Sequence, residues 1–447
     1  MSAEARNAAA GAIESAAGAE TELTGDNSAP VCGEGAGLDV LSLGGKRRTA
    51  EAGADGAPAD GADGADGARS AGTARTEAGG HSGPVLTRLE PVLAKQGWIS
   101  FGIVTLLAVV LVPLLNSAPQ GSALHLPDYL VTLFGKFLCY ATVAVAMDLL
   151  WGYAGILSLG HGVFFALGGY AMGMTLMLAI GEASVYRSKL PDFMVFLDWK
   201  ELPWFWRPMD NFFVAMIAAL AVPGVLAYCF GFLAFRSRIR GVYFSIITQA
   251  LTFALMLLLF RNETGLGGNN GLTDFKQIYG YPLHAQSTKL ALYALSAAGL
   301  MAAFLICRFV TTSKAGRVLR SIRDEESRIM FLGYDPTRFK LFVYTLSAVL
   351  CGFAGALYVP QVGIINPGEL QPSNSIEMAI WVAVGGRGSL IGAPLGAFVV
   401  NGAKSWFTVA LPDLWLYMLG ALFVAVTLFF PRGLVGALSG AIVRVRK

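Results

Sequence analysis

The chain has 447 residues, of which 55% are hydrophobic and only 14% charged, where soluble domains carry about 25% charged residues. Mean hydropathy is +0.57 although residues 1–97 are small and polar, so the apolar excess lies beyond them and lipid is its solvent. A net charge of +3, with the basic residues confined to short loops, excludes a nucleic-acid-binding face, and five cysteines without CxxC spacing give no disulfide framework or metal site.

Residues 1–97 contain no Phe, Tyr or Trp and include a GADGADGA run at Gly61–Ala68. Such a segment cannot bury enough apolar area to offset its ordering entropy, which predicts a disordered, low-complexity cytoplasmic extension. It holds no uninterrupted apolar stretch of the kind a secretory signal needs.

Residues 98–432 form the expected transmembrane domain, with apolar runs at 98–116, 129–150, 154–180, 211–235, 242–260, 290–310, 341–363 and 413–430. Each is near the length of about 20 residues that crosses a bilayer. The second run carries Lys136 and Asp148, twelve residues apart and so about 18 Å apart along a helix, too far to pair. Ionisable groups at membrane depth are costly and point to function. For Lys136 the alternative is snorkelling to the interface; for Asp148 it is capping of the following turn.

That turn begins a glycine-rich stretch, GYAGILSLGHG at 152–162, continuing to Gly168, Gly169 and Gly173. A second stretch, GGRGSLIGAPLG at 385–396, occupies the other half of the domain. Broken helices in corresponding halves are the pattern of a transport site near the midplane. Gly155, Ser158, His161 and Gly388 are therefore candidates for the translocation path. The alternative is close helix packing through Gly169-x-x-x-Gly173 and Gly392-x-x-x-Gly396, or a buried histidine bonded to backbone.

The aromatic run LPDFMVFLDWKELPWFWRPMD at 190–210 suits a segment lying in the bilayer interface. Further on, TGLGGNNGLT at 264–273 is either a tight turn or a site presenting Asn269 and Asn270 to solute. Between two spans, TSKAGRVLRSIRDEESRIMFLG at 312–333 predicts an amphipathic helix capped by Ser313 and stopped at Gly333. Its apolar residues Leu319, Ile322, Ile329 and Met330 share a face. Either anionic lipid or a soluble partner would meet the charged one. Glu377 opens the apolar stretch 376–410, as a path residue or an interfacial one.

Seven Lys or Arg residues lie in 311–340, and Arg236, Arg238 and Arg240 form another loop without acids. The tail 433–447 is basic too. Placing these on the cytoplasmic side puts both termini in the cytoplasm if 376–410 crosses twice, for about ten crossings. The limb 376–385 is too short to face lipid and must be shielded by protein. The expected fold is thus all-α and integral to the membrane: a polytopic helical bundle of about ten transmembrane segments with Gly-interrupted helices. None of Lys46, Lys136, Lys314 and Lys404 sits in a GxxxxGK[ST] context, and no catalytic triad or HExxH appears. A transport subunit without its own ATPase, cofactor or metal is the expectation.

GYAGILSLGHGVFFALGGYAMGM at 152–174, GGNNGL at 267–272, SKAGRVLRSIRDEESRIMFLGYDPTRFK at 313–340 and SIEMAIWVAVGGRGSLIGAPLGA at 375–397 resemble the permease subunits of bacterial branched-chain amino-acid ABC transporters. Within that family AMDLLWGYAGILSLGHG, the 190–206 aromatic run and GLGGNNGLTDFK are most similar to the C-type permease subunits of urea transporters. The resemblance covers about 98–440 and leaves the amino-terminal extension outside it. It implies a bacterial cytoplasmic-membrane importer. Its partners would be a second homologous permease, cytoplasmic ATP-binding subunits and an extracytoplasmic solute-binding protein. It also implies that Arg317, Arg320, Arg323, Asp324, Glu326 and Gly333 belong to a coupling helix that contacts the ATPase. An importer of branched-chain amino acids or short amides would share these features. A self-sufficient channel or secondary transporter would not need the coupling loop.

Overall fold

The computed structural model describes residues 125–429 apart from 182–183, 185, 240 and 412–413, together with 102–103, 105–106, 109–119 and 433–436. The expected amino-terminal extension, Arg240 and most of the basic tail lie outside the described residues. Of the first predicted span, 109–116 is helical.

Six described helices are long and apolar enough to cross a membrane. The first is α1 (Asp128–Asp148), continued by a π-helical turn over Leu149–Tyr153. Then come α2 (His161–Leu178), the short α3 (Asp192–Phe196), α4 (Phe212–Arg236) and α5 (Val242–Phe260). After α6 (Gln286–Thr312) the chain makes α7 (Lys314–Asp324) and α8 (Glu326–Phe331), and returns as α9 (Pro336–Val362). The stretch expected to cross twice is a helical hairpin of α10 (Pro372–Gly385) and α11 (Gly392–Ala410), followed by α12 (Trp415–Phe429). The chain is a multi-pass, helical membrane protein.

Side-chain caps set several of these boundaries. Asn211 accepts from the Phe213 amide to start α4, Ser313 from Gly316 to start α7, and Asp335 from Thr337 to start α9, whose first residue is Pro336. Gly363, at φ 80°, closes α9 in the left-handed conformation. Two sequence expectations shift. Helix α2 begins at His161, leaving 155–160 unwound where a span from 154 was expected. The single amphipathic helix of 313–333 is two helices, parted at Glu325, which takes extended backbone (φ −158°, ψ 96°). The run Asp324-Glu325-Glu326 accounts for the break. Carboxylates oppose the negative end of α7 but favour the positive end of α8.

Helix α2 is the buried centre, enclosed by α9, α4 and α1, whereas α4 and α5 are largely exposed along their apolar faces. Small residues make that enclosure possible. A Cβ at Gly168 would strike the Gly352 backbone of α9, and one at Gly355 the Phe165 carbonyl of α2. Gly352 in turn meets Ala219 and Pro223 of α4. Likewise Gly396 lies against the Trp381 carbonyl and Gly385, so Gly392-x-x-x-Gly396 serves backbone contact between helices, whereas Gly169 and Gly173 make room for the Ile365 side chain.

The two ends of the bundle differ. One carries Arg236, Arg238 and α7–α8 and is called here the basic face. The opposite end is closed by loops that are sewn together. Strand β1 (Leu272–Thr273) pairs antiparallel with a later strand (Ile364–Ile365), while β2 (Gln277–Ile278) and β3 (Tyr281–Pro282) form a small hairpin. The later strand, β4, therefore ties the GGNNGL turn to the α9–α10 loop. The aromatic run folds over that turn: the Trp206 indole donates to Gly265 O at 2.9 Å and Met194 is buried, while Phe196 and Trp204 stay exposed. Of the described cysteines, Cys139, Cys307 and Cys351 are buried and Cys229 is exposed.

Candidate functional site

Two clusters of polar groups inside the bundle, among the described residues, gather sequence candidates. The first is a junction at the basic face, where both broken segments meet. Asp148, at the end of α1 and fully buried, accepts the Gly388 amide at 2.7 Å. Gly152, within the π turn, packs so closely on Gly388 that a Cβ would overlap both it and the Asp148 carboxylate. The Gly152 carbonyl accepts from the Arg323 guanidinium of α7 at 2.7 Å. The aliphatic stem of Arg323 covers Gly155, which sits at φ +75°. π turns of this kind free a carbonyl for an outside partner, and here that partner comes from the loop helix.

Much of the remaining unwound backbone is bonded as well. Ser245 of α5 donates to Leu157 O at 2.7 Å, Thr252 donates to Leu159 O at 3.1 Å, and Thr248 accepts the Leu159 amide at 3.0 Å. Ser375 of α10 accepts the Gly162 amide at 3.1 Å. Ser158 accepts the Gly160 amide at 3.3 Å. His161 Nε2 lies 2.9 Å from Ser347 Oγ, which donates to Ala146 O at 2.6 Å, and Nδ1 lies 3.3 Å from Ser158 O. His161 thereby links α2, α9 and α1. Ser158, His161 and the Gly388 amide therefore have protein partners here, while Gly155 is exposed and lines the cavity described below.

Loop-helix residues divide between two directions. Arg323 points into the junction, and Glu326 pairs with Lys340 of α9 at 2.7 Å, both side chains mostly shielded. Arg320 donates to Thr311 O at 2.9 Å and lies over the Tyr153 ring. Helix α7 lays Leu319 and Ile322 on the bundle, which brings Arg320 and Glu326 partly in, while Arg323 stays exposed beside Asp324 as it reaches Gly152. Arg317, Asp324 and Gly333 remain exposed. Beside them Met330, Phe331, Leu332 and Tyr334 are exposed, Phe331 at 92%. A cavity of about 170 Å³ opens between Gly155, Phe244, Arg323, Glu326 and Lys340.

The second cluster lies toward the opposite end, among α1, α9, α10 and α11. The Lys136 ammonium is 5.5 Å from the Tyr140 ring centroid and 5.8 Å from that of Tyr358, within cation–π range. The Tyr358 hydroxyl donates to Glu369 at 3.1 Å and accepts from Tyr140 at 3.5 Å. Burial pushes the Glu369 carboxyl above the ordinary glutamate range, opposed by the Tyr358 hydroxyl and the Lys136 charge. Trp381 of α10 lies against Tyr140 with centroids 4.8 Å apart. One turn earlier, buried Glu377 binds Lys404 of α11 at 2.8 Å through one carboxylate oxygen. Its other oxygen, the Trp381 indole N–H and the Tyr170 hydroxyl are buried without a hydrogen-bond partner.

Of the sequence candidates, the fold thus brings Asp148, Gly155 and Gly388 together at the junction and Lys136 and Glu377 together at the aromatic cluster. Asn269 and Asn270 are in neither; both are exposed on the sewn turn. Sequence reasoning missed Tyr140, Tyr358, Glu369, Trp381 and Lys404. The one available signal was Lys404, a cation in an otherwise apolar run.

A buried, broken-helix bundle with an inward-turned loop helix and a polar cluster at depth defines a solute-translocating membrane subunit. The chain belongs to the branched-chain amino acid transport system permease component family, whose profile matches residues 129–427, and is accordingly a transport component of an ABC importer. The high-affinity branched-chain amino acid transport system permease protein LivM of Escherichia coli (strain K12) is 23% identical over 322 residues, spanning 66% of this chain and 68% of that protein. BraD of Pseudomonas aeruginosa, of the same description, is 20% identical over 308 residues, or 66% and 91% of the two chains. The fructose import permease protein FrcC of Rhizobium meliloti is 24% identical over 201 residues, covering 42% and 53%. No solved structure matches.

Proposed function

We propose that this chain is the conducting permease of an ATP-driven importer of urea, with its basic face in the cytoplasm and α7–α8 docked on an ATP-binding subunit. The observation that carries the reading is the Arg323 link to Gly152, at the point where α1 loses its regular helix. A displacement of α7 by the ATPase acts directly on the π turn and, through Asp148, on the α10–α11 bend. Exposed Phe331, Leu332, Arg317 and Asp324 supply the contact surface. Arg320, Arg323 and Glu326 carry its movement on to the spans.

A second permease subunit, a pair of ATP-binding subunits and an extracytoplasmic solute-binding protein complete the importer. Urea is favoured by the resemblance of the aromatic run and the GGNNGL turn. A neutral solute needs hydrogen-bonding groups and no countercharge, and the aromatic cluster offers both donors and acceptors. A second reading, import of a branched-chain amino acid, has in its favour the descriptions of LivM and BraD. The two separate on one experiment. Cells with the whole gene set are compared with cells lacking this chain for uptake of labelled urea at low micromolar concentration, with leucine as competitor. Loss of leucine-insensitive urea uptake is expected; urea uptake that persists, or that leucine blocks, moves the assignment to amino acids. Orientation is tested separately by Glu325→Cys and Asn270→Cys. A membrane-impermeant thiol reagent added outside labels the second and spares the first.

A further inference from the structure

Three buried polar atoms of the aromatic cluster lack a hydrogen-bond partner, and two of them lie one helical turn apart on α10. Residues four apart share a helix face. Glu377 and Trp381 are 5% and 2% exposed, so bulk water does not supply what the protein omits. One atom, Glu377 Oε1, only accepts; the other, the Trp381 indole N–H, only donates. Lys404 holds the second Glu377 oxygen and fixes the carboxylate, while the Tyr140 ring fixes the indole plane. Buried polar groups are almost always bonded, and a donor and an acceptor left open one turn apart on one helix face call for a ligand that carries the complementary pair.

We propose that Glu377 and Trp381 form an amide clamp, in which the indole N–H donates to a solute carbonyl oxygen and the carboxylate accepts from the N–H on the same carbon. The ligand class is a small planar carboxamide, urea before others. The inference rests on the reading of this chain as a urea permease and deepens it by naming the recognising groups. Tyr140 and Trp381 are in ring contact here, so the clamp meets solute only when α1 and α10 part. The α10 glycine bend and its bond to Asp148 place that parting under the control of the junction.

The test uses the complete transporter with its binding protein in liposomes, and labelled urea and thiourea as solutes. Trp381→Phe keeps the aromatic packing and removes the N–H; Glu377→Gln keeps the shape and removes the charge. Co-elution of each variant with its partner subunits checks folding. Loss of one hydrogen bond of this kind predicts maximal urea uptake lowered about tenfold in each variant. Trp381→Phe also lowers the urea-to-thiourea ratio, because a thiocarbonyl sulfur is the poorer acceptor and loses less. Wild-type import of urea with both variants, correctly assembled, matching it in rate and ratio overturns the clamp and leaves the permease reading standing. Wild-type import of leucine and not urea overturns both.

Discussion

The junction and the aromatic cluster are both polar and both buried, and each leaves a carboxylate oxygen open, Asp148 Oδ2 in one and Glu377 Oε1 in the other, yet they differ in what exposes their polar groups. At the junction, helix breaking exposes backbone groups, and α5, α7 and α10 send Ser245, Thr248, Thr252, Arg323 and Ser375 to take them. In the cluster, regular helices expose no backbone, and it is side chains that are left open. The lesson is that unwinding alone does not leave a backbone open, since neighbouring helices can supply partners for much of it, and that intact helices can carry open polar atoms too.

Four substitutions strain this contrast, beginning with the largest effect. Gly152→Val drives a branched side chain into Asp148 and Gly388, and overpacking of this kind costs about 1–3 kcal/mol, occasionally more. Uptake is abolished and the thermal midpoint of the detergent-solubilised protein falls; normal uptake would show that the junction is not tightly closed. Phe331→Asp places a charge in the exposed apolar patch and weakens pull-down of the ATP-binding subunit by about 2 kcal/mol, roughly thirtyfold. Unchanged pull-down would move the docking surface elsewhere. Arg323→Met keeps the stem over Gly155 but removes the bond to Gly152 O. ATP hydrolysis continues while uptake drops about tenfold, as one lost interaction in the moving state predicts. Parallel loss of both would make Arg323 a folding residue. Asn269→Ala with Asn270→Ala touches only exposed groups, which change stability by less than about 0.5 kcal/mol. Uptake within twofold of wild type is expected, and a larger loss would return the turn to the solute path.

Much of this was legible in the sequence. The apolar runs gave the spans, the glycine clusters gave both breaks, and Ser313 marked the start of the loop helix. What remained hidden depends on contacts between distant segments. Trp381 sits in an apolar run and reads as core; only its neighbour Tyr140, 241 positions earlier, makes it part of a polar cluster. Glu369 sits in a loop, where a carboxylate reads as solvated. Arg323 falls on the charged side of its helix by periodicity, yet its stem is long enough to reach round to Gly152. The break at Glu325 was hidden for a different reason: the apolar spacing of Leu319, Ile322 and Ile329 is continuous, and only the clash of three successive acids with a helix end interrupts it.

The open atoms on α10 also bear on idling. A buried donor or acceptor without a partner costs about 1–3 kcal/mol, and this bundle carries that cost at Glu377 and at Trp381 whenever it is shut and empty. On the clamp proposed above, solute bound once α1 and α10 have parted removes it, so that an empty cycle returns to the costlier state and a loaded one does not.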